Sequence, residues 1–119
     1  MRGMAMVCAM AMFAGFSAQA ADGSGHYFIV GAGSHTCQEY TRATPDQKMY
    51  AETWMAGYIS AVNRLTPDTY HVAGDASVEK VNGMIAQYCG ENPDTSLGVA
   101  IHRVLERLYP QRIRQSPNK

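Results

Sequence analysis

The chain has 119 residues, and ten lysine and arginine side chains balance ten aspartate and glutamate side chains, so the formal net charge is zero at pH 7. This length suits one domain with a modest core and is too short for two. A neutral balance provides no global attraction to nucleic acid, so we expect no nucleic-acid partner.

The first twenty residues have the pattern of a secretory signal peptide. Arg2 supplies a positive charge, residues 4–16 are almost wholly apolar, and residues 18–20 read Ala-Gln-Ala, the small-x-small pattern that signal peptidases cut. The apolar run is about 13 residues long, short of the roughly 20 that a membrane-spanning helix needs. We therefore expect export, removal of residues 1–20, a mature domain over residues 21–119 and no stable membrane insertion.

Cysteine usage agrees with export. Cleavage would remove Cys8 and leave Cys37 and Cys89, which we expect to form one disulfide bond in an oxidising compartment. This bond would restrict the unfolded chain by roughly 4 kcal/mol. A zinc site that adds His35 and His71 lacks the paired short spacing of structural zinc ligands, so we expect no metal and no other cofactor.

A short extended N-terminal arm is predicted at residues 27–30, because this apolar run is too short for a stable helix. The glycine-rich residues 31–34 end the arm, and we interpret them as a turn. Ser34 then precedes polar and amide side chains that suit the first turns of a short helix around Cys37.

A long second helix is predicted to begin at Thr44, because an N-cap threonine is followed by Pro45 and, three residues after the cap, by Gln47. Gly57 is costly inside a helix, so we expect it to permit close approach of another helix. Apolar side chains at three- and four-residue spacings are predicted to face the core: Tyr50, Trp54, Tyr58, Ala61, Val62 and Leu65.

Two further helices follow a loop at residues 66–75, which we expect to be mobile. Asp75 or Ser77 is predicted to cap the third helix, with Gly90 just after its end. Residues 92–94 are predicted to open the fourth helix, whereas residues 111–119 are predicted to be frayed. The fourth helix has the cleanest amphipathic pattern in the chain: Leu97, Ile101, Val104, Leu105 and Leu108.

Helices with one apolar stripe each can bury those stripes only against one another. The predicted fold is therefore mostly α, a small four-helix, disulfide-linked single domain with its core at about residues 34–109.

No catalytic group stands out, because no carboxylate pair, metal-ligand set or nucleophile with a base rises above chance, so we expect a non-enzymatic protein. Trp54 and Tyr58 are candidates for an aromatic binding pocket, although aromatics at helical spacing also suit a core. Arg103 and Arg107 lie four apart on the polar side of the last helix, where they suit either an acidic partner or a solvated surface.

The order of these segments resembles the HdeA-like periplasmic proteins. The resemblance rests on Cys37 in a short helix, the segment 54–58 in a long helix, Tyr88 with Cys89, and residues 92–93 before a last amphipathic helix. It implies a periplasmic acid-stress holdase that binds unfolding envelope proteins without ATP, with a homodimer as a further option. Protonation of carboxylates would then loosen the fold: Glu39, Asp46, Glu52, Glu79, Glu91 and Glu106.

A second resemblance is to the Rap1a/Tai-type immunity proteins, which are small secreted helical domains. It rests on residues 57–59, a Gly-Tyr-Ile segment, and on the Tyr-Pro pair at residues 109–110. This resemblance implies an inhibitor of a secreted peptidoglycan-hydrolase toxin. An acid-stress chaperone is thus the leading hypothesis, and an immunity protein is the alternative.

Overall fold

A computed structural model describes residues 21–118 of the chain, so the predicted signal peptide at residues 1–20 and Lys119 lie outside the described residues. Four helices and no β-strand occur within this range, which confirms the predicted mostly α, four-helix fold. The helices are α1 (Cys37–Arg42), α2 (Pro45–Leu65), α3 (Val78–Glu91) and α4 (Leu97–Leu108), with short 3-10 helices at Gly31–Ser34 and Tyr109–Gln111.

Polar side chains fix the start of each of the first three helices. The Thr36 hydroxyl accepts a hydrogen bond from the backbone N–H of Glu39, whose carboxylate accepts one from the backbone N–H of Thr36. Thr44 and Gln47 form the same reciprocal box at the start of α2, as predicted. Ser77 is the cap of α3. Each box satisfies two backbone N–H groups that a bare helix end would leave without partners.

The boundary between α3 and α4 differs from the prediction. Helix α3 continues through Gly90 to Glu91 and is capped at its C-terminal end by Asn92, so the expected stop at Gly90 is wrong. Helix α4 begins at Leu97 with Ser96 as its N-cap, so the predicted opening at residues 92–94 is also wrong.

Backbone pairing with α1 explains the later start of α4. The carbonyl of Pro93 accepts a hydrogen bond from the N–H of Gln38 at 2.9 Å, and the carbonyl of Thr95 accepts one from Cys37 at 2.7 Å. Since these carbonyls face α1, residues 93–95 form a connection rather than a first helical turn.

The core is built around α4. It buries Leu97, Ile101, Val104, Leu105 and Leu108, so the predicted inward stripe of this helix is confirmed. The backbone of α4 lies against α3 and against the first 3-10 helix. A helix of only 12 residues therefore contributes more buried residues than any other of the four helices.

Helix α2 is less buried than its length suggests. Only Ala51 and Met55 of its 21 residues are buried. Tyr50 is 62% exposed and Leu65 is 76% exposed, so the predicted inward stripe is wrong at these positions and at the exposed Ala61. The fully buried residues, Ala51 and Met55, each follow a predicted position by one residue, so the buried face is shifted partly around the helix. Trp54, Tyr58 and Val62 lie at its edge and are partly buried.

The predicted disulfide bond is present. Cys37 and Cys89 are buried, and their Cα atoms lie 4.7 Å apart. The bond joins the first residue of α1 to the last turn of α3.

The C-terminal segment and the loop at residues 66–75 contact each other. Ile113 and His71 form an isolated antiparallel bridge, so the prediction of a frayed C-terminal segment is wrong at this point. The loop is also anchored from α2, because the Asn63 side chain accepts a hydrogen bond from the backbone N–H of Val72 at 2.8 Å. Among residues 21–118, no helix combines the length and the hydrophobicity that a membrane span requires.

We expect the disulfide bond to account for much of the stability of the domain. Replacing both cysteines (C37A with C89A) should lower the free energy of unfolding by about 2–5 kcal/mol, because the unfolded chain regains the freedom of a long loop. Urea unfolding followed by circular dichroism measures this loss. Reduced wild-type protein provides the control and should unfold at a similar urea concentration. Equal midpoints for the oxidised protein and the double variant would contradict the expectation.

Candidate protein-interaction surface

Trp54 and Tyr58, two of the candidate partner-binding residues, form an aromatic pair on α2. Their ring centroids lie 5.6 Å apart and the rings are inclined by 28°. The indole N–H of Trp54 donates a hydrogen bond to the carbonyl of Val30 at 2.7 Å. The pair therefore packs at the edge of the core and also holds the N-terminal arm against α2.

The glycines before α1 pack directly against the Trp54 ring. A methyl group at Gly33 would overlap the six-membered ring of Trp54, and Gly31 has a φ of 76°, which favours glycine. The segment interpreted as a turn is a 3-10 helix that buries Ala32 and Gly33. Its small residues let the backbone lie directly against the indole.

The expected close approach at Gly57 is wrong. A Cβ atom at this position would meet nothing within 4 Å. The close approach occurs at Gly98 on α4, where a Cβ atom would lie 3.2 Å from the carbonyl oxygen of Gly33 and 3.0 Å from Cδ1 of Ile29. Gly98 therefore permits the contact between α4 and the segment that carries the arm.

A shallow groove of about 420 Å³ lies between the arm and α2. Phe28 is 90% exposed and Val30 is 71% exposed on the arm, whereas Ile29 between them is partly buried and turned towards Gly98. We call this surface the arm groove, and its lining residues are Tyr27, Phe28, Ile29, Val30, Trp54, Gly57, Tyr58 and Gly98.

The two candidate arginines lie in different surroundings. Arg103 donates a hydrogen bond to the carboxylate of Glu106 at 3.0 Å and lines a second shallow depression together with Tyr58. The guanidinium of Arg107 lies over the ring of Tyr88, 5.7 Å from its centroid. The structure thus brings Trp54, Tyr58 and Arg103 to neighbouring surfaces, whereas Arg107 packs on α3.

Sequence reasoning missed the role of the arm. Its extended conformation was expected, but its exposed side chains were not recognised as candidates for binding. The extended conformation could have indicated these candidates, because successive side chains of an extended chain point to opposite sides. If Ile29 points towards the core, its neighbours Phe28 and Val30 point away from it.

Three exposed carboxylates are held in their charged form. Hydrogen bonds from the backbone N–H and the hydroxyl of Thr36 lower the pKa of Glu39. The hydrogen bond from Arg103 lowers the pKa of Glu106. Asp22 has a lowered pKa because it accepts hydrogen bonds from the backbone N–H of His26 and from Ser24. Each contact stabilises the fold at neutral pH and is lost on protonation.

Within residues 21–118, no group of three or more histidine, cysteine, aspartate and glutamate side chains is placed to hold a metal ion. The candidate surface is thus characterised by exposed apolar and aromatic side chains together with charged groups on α4. These features suit contact with another polypeptide.

Residues 3–98 match the model of the HdeA/HdeB family. The chain belongs to the HdeA/HdeB family. No curated protein and no solved structure matches it. The HdeA/HdeB match includes helices α1 to α3, both bonded cysteines and the arm groove, and it ends just after α4 begins. Family membership agrees with the first of the two resemblances.

The two glycines near Trp54 provide a matched pair of tests. G33A should destabilise the protein by about 1–3 kcal/mol, because the added methyl group displaces the rigid indole ring. G57A should stabilise it by up to about 1 kcal/mol, because alanine is the better helix former and the site is open. Fluorescence of the single tryptophan reports the displacement during urea unfolding. An unshifted emission maximum in G33A would contradict the close contact between Gly33 and the Trp54 ring.

The Glu39 carboxylate makes the stability of α1 dependent on pH. Its stabilising contribution is complete above the ordinary glutamate pKa of 4.5 and is lost as the pH falls through the lower value of the folded protein. E39Q should therefore be less stable than wild type at pH 7, and the two should converge as the pH falls below the lowered pKa of Glu39. Thermal unfolding across this range measures the difference. The control E91Q leaves the capping box intact and should keep the wild-type dependence.

Proposed function

We propose that this protein is a non-enzymatic holdase of the periplasm that binds unfolding envelope proteins during acid stress, without ATP. The observation that carries the proposal is the set of large apolar side chains left exposed on a small domain that a disulfide bond holds together. The HdeA/HdeB match supports the proposal, because this family is known for periplasmic acid-stress chaperones. The signal-peptide pattern of residues 1–20 supports the same compartment.

Exposed apolar side chains supply the binding chemistry. Phe28 and Val30 project from the arm, and Met49, Tyr50 and Leu65 are each more than 60% exposed on α2. Unfolding proteins present apolar segments, so burial of such segments against these side chains favours association. The same surface also suits a second copy of the chain, which would cover it at neutral pH.

A drop in pH is the proposed trigger that loosens the fold for client binding. Protonation weakens the hydrogen bonds that the Glu39 carboxylate accepts from Thr36 at the start of α1, and it removes the pairing of Glu106 with Arg103 on α4. A drop in pH therefore weakens both helices. The bond between Cys37 and Cys89 does not depend on pH in this range, and it prevents complete separation of α1 from α3. The expected acid state is loosened and apolar, but still covalently connected.

A light-scattering assay with an acid-sensitive client tests the proposal. The oxidised mature protein should suppress client aggregation at pH 2–3, below the ordinary pKa of carboxylates, and much less at pH 7. F28S with V30S should require about tenfold more protein for equal suppression, because two exposed apolar contacts are lost.

V78S is the matched control, since it removes an exposed valine from α3 outside the arm groove. It should suppress aggregation as wild type does. Absence of suppression by the wild-type protein at both pH values would contradict the holdase proposal and favour the immunity-protein alternative. Full activity of the arm variant would contradict the assignment of the arm as the binding surface.

A further inference from the structure

The N-terminal arm, residues 27–30, has the side-chain arrangement of a β-strand. Phe28 and Val30 are largely exposed, whereas Ile29 is partly buried and its side chain lies beside α4. Tyr27 also approaches α4, because it lines a depression together with residues of that helix. Side chains that alternate between two faces with a period of two characterise an extended chain.

The backbone of the arm is extended as well, and a glycine lies on each side of it. Val30 has a φ of −98° and a ψ of 137°, which are values of the β region. Gly25 and Gly31 have φ values of 84° and 76°, which are conformations that favour glycine and turn the chain before and after the arm. The arm is therefore a strand-like segment of short and defined length.

The backbone groups of the arm have almost no partners. The carbonyl of Val30 accepts the hydrogen bond from the indole N–H of Trp54, so this carbonyl points towards α2. The N–H and carbonyl groups of Tyr27, Phe28 and Ile29 make no hydrogen bond within residues 21–118. An extended segment with unpaired backbone groups is equivalent to the edge strand of a sheet.

The Val30 carbonyl also indicates which edge of the arm is open. In an extended chain, the N–H and carbonyl of one residue point to the same edge, and those of the next residue point to the opposite edge. Because the Val30 carbonyl points towards α2, the backbone groups of Phe28 belong to that edge as well. Tyr27 and Ile29 therefore present their N–H and carbonyl groups at the edge away from α2. We call these four groups the arm edge.

We propose that the arm edge is a docking site for an extended polypeptide, which adds to the arm as a β-strand. The backbone of the partner exchanges hydrogen bonds with Tyr27 and Ile29, and its outward side chains pack beside Phe28 and Val30. Unpaired strand edges recruit extended peptides in this way. The use of this docking site for unfolding envelope proteins rests on the proposed function, whereas the pairing itself does not.

The chemistry of the arm edge determines which partners it accepts. Backbone N–H and carbonyl groups are common to all polypeptides, so the pairing selects an extended conformation rather than a particular sequence. The exposed side chains of Phe28 and Val30 favour aromatic or β-branched neighbours on the partner. An unfolding protein supplies such segments, whereas the strands of a folded protein already have partners.

The arm also lacks the features that protect edge strands from association. Charged side chains and proline are the usual protection, and residues 27–30 contain neither. The glycines at both sides keep the edge short, so a partner gains only a few hydrogen bonds. We therefore expect the pairing to be reversible and confined to one added strand.

Fluorescence of Trp54 measures binding to the arm edge at neutral pH. This single tryptophan donates to the last residue of the arm, so its emission reports on the arm. The probe is a short peptide of alternating threonine and valine with a lysine at each end. The same peptide, N-methylated at its central residues, should bind the oxidised mature protein about tenfold more weakly, because it keeps the side chains but loses the backbone donors.

Two variants at Tyr27 test the arm edge from the side of the protein. Y27A and Y27P both lose the phenol ring, but only Y27P lacks the backbone N–H at this position. No described group accepts from this N–H, so the two variants should unfold at similar urea concentrations. Y27P should bind the probe peptide about tenfold more weakly than Y27A, because proline removes a donor and obstructs a neighbouring strand.

Amide hydrogen exchange by NMR identifies the edge that is used. The peptide should slow the exchange of the Tyr27 and Ile29 amides and leave the Phe28 and Val30 amides unchanged. Absence of peptide binding, equal binding of the N-methylated peptide, equal affinities of Y27A and Y27P, or equal slowing at all four amides would overturn the proposal. Protection that rises with protein concentration in the absence of peptide would overturn it in favour of a second copy of this chain.

The strand-addition proposal and the holdase proposal can fail separately, because the peptide measurements need neither acid nor a client. Alternating protection of the arm in a protein that suppresses no aggregation contradicts only the holdase. Suppression of aggregation by a protein whose arm edge binds no peptide contradicts only strand addition.

Discussion

The bond between Cys37 and Cys89 is the constraint on which the rest of the fold depends. Helix α1 has only six residues, too few to persist alone in water. The disulfide fixes its first residue to the end of α3, and backbone hydrogen bonds from Cys37 and Gln38 fix its first turn to the connection before α4. Helix α1, helix α3 and the connection before α4 are thus held together at this bond, and α4 extends the core away from it.

Burial is distributed unevenly around that point. The 12 residues of α4 bury a full stripe, whereas the 21 residues of α2 bury only Ala51 and Met55. Helix α2 is attached instead through the contact of Trp54 with the glycine-rich segment, and its capping box at Thr44 stabilises its own first turn. Since few apolar contacts hold α2, we expect it to open at lower free energy than α4.

The features that were predicted correctly depend on residues close together in the sequence. The cap at Thr44 and the apolar stripe of α4 are two examples. The buried face of α2 was not, because Trp54 and Tyr58 are large apolar side chains that lie at the edge of the core rather than in it. The pairing of the C-terminal segment was missed for a related reason, since Ile113 pairs with His71, a residue far away in sequence, and no local pattern indicates such a bridge.

The two ends of α4 are held by different interactions. The carboxylate of Glu39 belongs to the end that the disulfide holds, so its protonation weakens a cap without releasing the helix. At the other end, about 18 Å away along the 12 residues of α4, Asp68 contacts Arg112 and Arg114, and no covalent bond supplements these contacts. The disulfide-bonded end is therefore the one that we expect to stay assembled when the domain loosens. A bond at one end thus lets a small domain loosen and still keep the topology from which it refolds.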